Sequence, residues 1–185
     1  YIMINKWNFQ TPSEEELHKR DQLVAELGYS PVICVLLDHR GITSLEEAKK
    51  FFIPSLNDLH DPFLMPDMDK AVRRLNKALG NKEKILIYGD YDVDGTTAVS
   101  LVFKYLRPYS STLDFYIPDR YDEGYGISYK GIDYAAENGV SLVISLDCGF
   151  KAMEKIEYAK ELGIDFIICD LHMPDTTLPD AVAVL

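Results

Sequence analysis

The stretch Gly89-Asp90-Tyr91-Asp92-Val93-Asp94-Gly95 sets three carboxylates on alternate residues, directly after the apolar run Ile85-Leu86-Ile87. Like charges this close repel one another unless a cation holds them together, and hard divalent cations take oxygen ligands. The same kind of residue recurs after the later apolar runs. Pro118-Asp119-Arg120 follows the run 113–117, Asp147-Cys148-Gly149 follows 142–146, and Asp170-Leu171-His172 follows 164–169. One Asp after a strand is explained by capping the next helix. Four such ends in one chain point instead to a shared metal site.

The elements that must position these residues follow from the same rhythm. Apolar runs alternate with helical segments near 96–106, 128–139 and 151–163, which is the pattern of a parallel sheet with crossover helices. In such α/β sheets the functional crevice lies beyond the carboxyl ends of the strands. Residues 1–80 read instead as a small helical N-terminal region, with residues 81–185 forming the sheet domain. Ser13 with Glu16, and Ser44 with Glu47, are capping boxes, Gly28 and Pro54 are stop signals, and a third helix runs through Ala71, Val72, Leu75 and Leu79 to Gly80. His39 and His60 stand among loop signals and read as surface or capping residues.

The 185 residues allow one ordinary domain with a helical extension, and the 47% hydrophobic and 26% charged content is globular. No apolar run reaches membrane-span length, and the start Tyr1-Ile2-Met3-Ile4-Asn5-Lys6 lacks the layout of a secretory signal. Cys34, Cys148 and Cys169 are isolated, which argues against a disulfide framework and for a reducing, cytoplasmic setting. The net charge of −11 argues against a self-contained nucleic-acid surface. Residues 1–80 carry 10 Lys/Arg against 12 Asp/Glu, and residues 81–185 carry 9 against 18, so the excess acid belongs to the half with the carboxylate motif.

Two other motifs share part of this pattern. An EF-hand loop needs a bidentate Glu at its twelfth position and a helix before it; here that position is Leu101 and a strand precedes. Asp92-Val93-Asp94-Gly95-Thr96 also has the form used by haloacid-dehalogenase phosphatases, with Asp92 as nucleophile. There the nucleophile directly ends a strand, whereas here Gly89-Asp90-Tyr91 intervenes, and no Lys stands in an obvious place after Ser145.

The ordered series of motifs resembles the DHH phosphoesterase superfamily and, within it, the RecJ-type single-strand-specific exonucleases. It runs through Arg40-Gly41-Ile42, Pro54-Ser55-Leu56, Asp58-Leu59-His60-Asp61-Pro62-Phe63, the Asp90–Asp94 motif, Pro118-Asp119-Arg120, Glu123-Gly124-Tyr125-Gly126, Asp147-Cys148-Gly149 and Asp170-Leu171-His172-Met173-Pro174. The resemblance implies that Asp92, Asp94 and Asp147 are ligands to two manganese or magnesium ions, with Asp147 bridging them and Asp90 in support. His172 and Asp170 would serve catalysis, with His172 on the scissile phosphate or assisting proton transfer. Arg120 and Lys130 would steer phosphate, and the loop 119–128 would face the substrate. Two positions depart from the family pattern. A histidine found four residues before Asp92 in many relatives is Tyr88, and the first histidine of the Asp-His-His triad is Leu171, which cannot bind a metal.

The expected activity is 5′→3′ hydrolysis of single-stranded DNA by a two-metal mechanism, in DNA repair and recombination. The expected protein is a monomer with a helicase or single-strand-binding protein as partner. RecJ-type enzymes continue with a further Asp ligand, a second domain and an oligonucleotide-binding barrel. The chain is therefore expected to be a fragment, inactive or weak by itself, whose DNA-gripping basic surface lies elsewhere. The haloacid-dehalogenase-like phosphatase, and a non-catalytic DHH-like binding module, stand as alternatives.

Overall fold

The computed structural model describes residues 12–185, so the reading of the first six residues lies outside the described residues. The chain divides into two compact units, the first ending at His60 and the second running from Asp61 to Leu185.

In the first unit, helices α1 (Glu14–Leu27), α2 (Pro31–Asp38) and α3 (Leu45–Phe52) pack around Leu23, Cys34, Leu37 and Ala48. Both capping boxes form as the sequence dictates. Ser13 Oγ accepts from the Glu16 amide, and the Glu16 carboxylate accepts from the Ser13 amide at 2.7 Å; Ser44 and Glu47 repeat the arrangement. Gly28 ends α1 in the left-handed conformation that spares it a side-chain clash. A half-buried Arg20–Asp38 ion pair at 3.1 Å ties α1 to the end of α2. His39 and His60 are exposed.

The second unit is an α/β domain. Its helices are α4 (Met68–Gly80), α5 (Val93–Leu106), α6 (Tyr129–Glu137) and α7 (Met153–Glu161); its strands are β1 (Lys84–Gly89), β2 (Leu113–Tyr116), β3 (Val140–Leu146), β4 (Asp165–Cys169) and β5 (Ala183–Val184). All strand pairs are parallel, in the order β2-β1-β3-β4-β5. Parallel strands carry helices on both faces and so read as continuous apolar runs. Accordingly Ile85, Ile87, Leu142 and Ile144 pack in one core with residues of α4 and α5, while Leu86, Tyr88 and Val143 pack in another with residues of α6 and α7.

Helix α4 packs on β5 and belongs to this unit, whereas sequence patterning grouped it with the N-terminal helices. Its local signals are helical, but Ala71 and Ala78 are buried in the sheet core, and Arg74 bonds Glu83 and Asp165 at 2.8 and 2.6 Å. The strand order also fixes where a site can form. The chain leaves β1 toward β2 and leaves β3 toward β4, so the connections diverge between adjacent strands and open a crevice at their carboxyl ends.

Candidate metal centre

The turn from β1 into α5 is built by close backbone approach. A Cβ at Gly95 would lie 2.4 Å from the Asp90 carbonyl oxygen, and one at Gly89 would lie 2.9 Å from the Gly95 carbonyl oxygen. Both positions therefore require glycine. The turn leaves Asp90 buried and sends Asp92 and Asp94 to the surface. Asp92 Oδ1 accepts from the Gly95 amide at 2.9 Å and caps α5, which is why that helix begins at Val93 rather than Thr96. Asp90 Oδ1 accepts from the Gly126 amide at 3.4 Å, while its Oδ2 has no partner among the described residues.

Across the crevice, Asp147 follows β3 in the left-handed region, with φ 61°, and its amide donates to Cys169 O at 2.8 Å. Asp170 follows β4. Its Oδ2 accepts from the Phe150 amide at 3.0 Å, and its Oδ1 accepts from the His172 amide at 3.1 Å and from the ring Nδ1 at 2.8 Å. The ligating atoms of Asp147, Asp170 and His172 all lie within 4.8 Å of one another. Asp92 and Asp94 stand outside that trio, yet their charges reach it: burial, then the Asp92 charge, raises the pKa of Asp147 above the usual carboxylate value. For Asp170 burial acts upward, but the bonds from Phe150 and His172 outweigh it and hold the carboxyl below its usual value. The bond to Asp170 raises the pKa of His172.

A nearly buried carboxylate crowded by three others, and an orphaned buried Asp90 oxygen behind them, form an acceptor-rich set whose repulsion a divalent cation relieves. The residues fit that group. Leu171 does not join them. It is 76% exposed and lines a cavity of about 400 Å³ with Met65, Met68, Asp94, Asp147 and Asp170, an apolar wall against the carboxylates. Tyr88 also contributes nothing to the cluster. Its buried hydroxyl donates to Gly126 O at 3.0 Å and accepts from the Ser128 amide at 3.0 Å.

The loop 119–128 borders the crevice. Glu123 secures it, accepting from the Asp119 amide at 2.8 Å, from the Tyr116 hydroxyl at 2.9 Å and from the Ser128 hydroxyl. Arg120 stacks over Tyr91 at 5.0 Å from the ring centroid, and Tyr121 is 93% exposed. Tyr125, within the loop expected to face the substrate, donates its hydroxyl to Asp147 O and lies 3.2 Å from the His172 ring. No local pattern marked that contact, because it joins two loops that meet only in the folded sheet. Lys130 is exposed and lies near enough to Asp119 and Glu123 for its charge to lower their pKa values.

Among known proteins, the chain is 39% identical over 97% of its length to the single-stranded-DNA-specific exonuclease RecJ of Bacillus subtilis (strain 168), of which it covers 22%. It is 32% identical over 92% of its length to the RecJ of Escherichia coli (strain K12), covering 29% of that protein. The chain thus spans less than a third of the length of these curated relatives. A crystal structure of exonuclease RecJ bound to manganese superposes with a TM-score of 0.58 at 30% identity, over 62% of this chain and 30% of that one. The RecJ of Thermus thermophilus in complex with Mn2+ shares the fold, with a TM-score of 0.65 over 90% of this chain and 23% of that one, at 24% identity. The model for the N-terminal domain of the DHH family matches residues 84–185, and the chain belongs to that family.

Proposed function

We propose that this chain carries the metal-binding part of an exonuclease that hydrolyses single-stranded DNA from its 5′ end. The observation that carries the reading is the convergence of Asp147, Asp170 and His172, within 4.8 Å, at the crevice between diverging strands. The similarity to single-stranded-DNA-specific exonucleases supports the substrate. Asp92, Asp94, Asp147 and Asp170 would hold manganese or magnesium ions, whose chemistry when bound is Lewis-acid activation of water and phosphodiester.

The chain's own residues supply orientation and proton handling. In hydrolysis a water oxygen forms a new bond to phosphorus as the ester P–O bond breaks; the water releases a proton to solvent, and the leaving oxygen takes one. His172 holds that proton, because its ion pair with Asp170 favours the charged ring. The Nδ1 bond to Asp170 and the Tyr125 hydroxyl at the ring edge fix the tilt of the imidazole. Arg120 offers phosphate a guanidinium, and Tyr91, Tyr121 and Tyr125 offer bases aromatic faces. A cytoplasmic monomer that works on strands presented by a helicase or a single-strand-binding protein completes the proposal. Among the described residues no helix is long and apolar enough to cross a membrane.

Leu171 favours a second reading, a nucleic-acid-binding module that does no chemistry. The DHH family match weighs against the haloacid-dehalogenase-like phosphatase. Manganese titration by calorimetry tests the main reading. Asp147→Asn is expected to weaken binding at least roughly tenfold, and equal affinity in both proteins would sink it.

A further inference from the structure

A cavity of about 300 Å³ is lined by the loop residues Tyr125, Gly126 and Ile127 and by Gly149, Phe150, Lys151, Ala152 and Lys155. Its size is at the lower end of the range for small-molecule sites. Asp170 and His172 form the edge it shares with the carboxylate cluster. Part of the lining is apolar and aromatic, with Ile127, Phe150 and Tyr125. The lining also carries two cations, Lys151 and Lys155, neither of which makes an ion pair among the described residues.

In this domain acid outnumbers base, and five of the other basic side chains, Lys70, Arg73, Arg74, Lys84 and Lys160, are matched to carboxylates. Two unmatched lysines in the same cavity as aromatic and apolar side chains suit an anion joined to a flat ring. The first-turn amides of α7 also lack acceptors among the described residues, and its N-cap Ala152 supplies no side chain; these groups add donors without specifying a ligand.

We infer that this cavity is a nucleotide subsite: it holds the nucleotide next to the scissile phosphodiester, its base or sugar against Phe150 and Ile127 and its phosphate on Lys151 and Lys155. The inference rests on the reading of the site as one that acts on single-stranded DNA. It assigns positioning to residues outside the metal cluster, and it makes the cluster asymmetric, with a cationic nucleotide seat on one side and an apolar wall on the other.

The test uses the full 185-residue chain in chelator, with a short fluorescent oligothymidylate and with deoxyadenosine 5′-monophosphate as probes. The double variant Lys151→Gln/Lys155→Gln should bind the oligonucleotide at least roughly fivefold more weakly. It should also lower the slope of log affinity against log salt by roughly 1.4, the value for two lost single-strand phosphate contacts. Lys104→Gln, an exposed change on α5, controls for the loss of charge alone and should change binding by less than about twofold. Amide NMR shifts induced by the mononucleotide should centre on Gly149–Lys155. Unchanged affinity and salt slope in the double variant, or shifts elsewhere, overturn the subsite. Manganese titration of the double variant separates this outcome from failure of the metal reading: Lys151 and Lys155 lie outside the carboxylate cluster, so its manganese affinity should match that of the unsubstituted chain.

Discussion

The two strand ends that supply most of the carboxylates are built in opposite ways. After β1, the chain turns into α5 with backbone atoms so close that neither Gly89 nor Gly95 leaves room for a Cβ. After β4, residues 171–178 are exposed, and the turn is held chiefly by the three bonds that Asp170 accepts. One half of the site is fixed by the packing of the sheet and the other by its own polar contacts. Substitutions at the two glycines of the first should register as stability, and substitutions at the second as binding or chemistry.

The largest effect should come at the locked end. Alanine in a helix ordinarily stabilises relative to glycine, but Gly95→Ala drives a Cβ into the Asp90 carbonyl and should cost about 3 kcal/mol or more. Urea unfolding measures it, and a neutral or positive change would break the contrast. At the open end, Leu171→His should tighten manganese binding on the order of tenfold with little change in the urea midpoint. No gain in affinity would favour the non-catalytic module.

Between these extremes stands Glu123, which holds the loop 119–128 from below. Burial alone would raise its pKa, but the bonds from Ser128, Asp119 and Tyr116 outweigh it, so the folded value is depressed. A depressed carboxylate contributes stability that is present above its unfolded pKa and lost as pH falls through the folded one. Glu123→Gln should therefore cost about 1 kcal/mol at neutral pH, and the gap should close as pH drops below the carboxylate range. Urea unfolding at several pH values follows it, and a gap that is constant with pH would remove Glu123 from this role. The smallest effect should be Leu171→Ala, within about 0.5 kcal/mol, because its side chain is 76% exposed.

This contrast also explains what could be read from sequence. Strand ends and capping boxes are written locally, so the acids after β1, β3 and β4 and the starts of α1 and α3 were legible. Interactions across the sheet were not. The two-residue β5 has no periodicity to detect and exists because its backbone meets that of β4. The spacing of Asp92 and Asp94 drew attention to them as a pair, but Asp92 spends one oxygen on the Gly95 amide, and the tightest group joins three residues from two other strand ends. Tyr88 occupies the place where many relatives were expected to have a histidine. Its use as a buried post under Gly126 and Ser128 depends on Gly131, where a Cβ would lie 2.6 Å from the Tyr88 ring.

The left-handed backbone at Asp147 has a consequence for how the site can be probed. Short polar residues tolerate that conformation, whereas other side chains are strained there by roughly 1–2 kcal/mol. The position is thus doubly constrained, once by the charge it carries into the crevice and once by the bend that delivers it. Alanine at 147 would remove the carboxylate and warp its support together. Asparagine changes the charge alone, so only that exchange reports on electrostatics without rewriting the geometry of the neighbouring strand end.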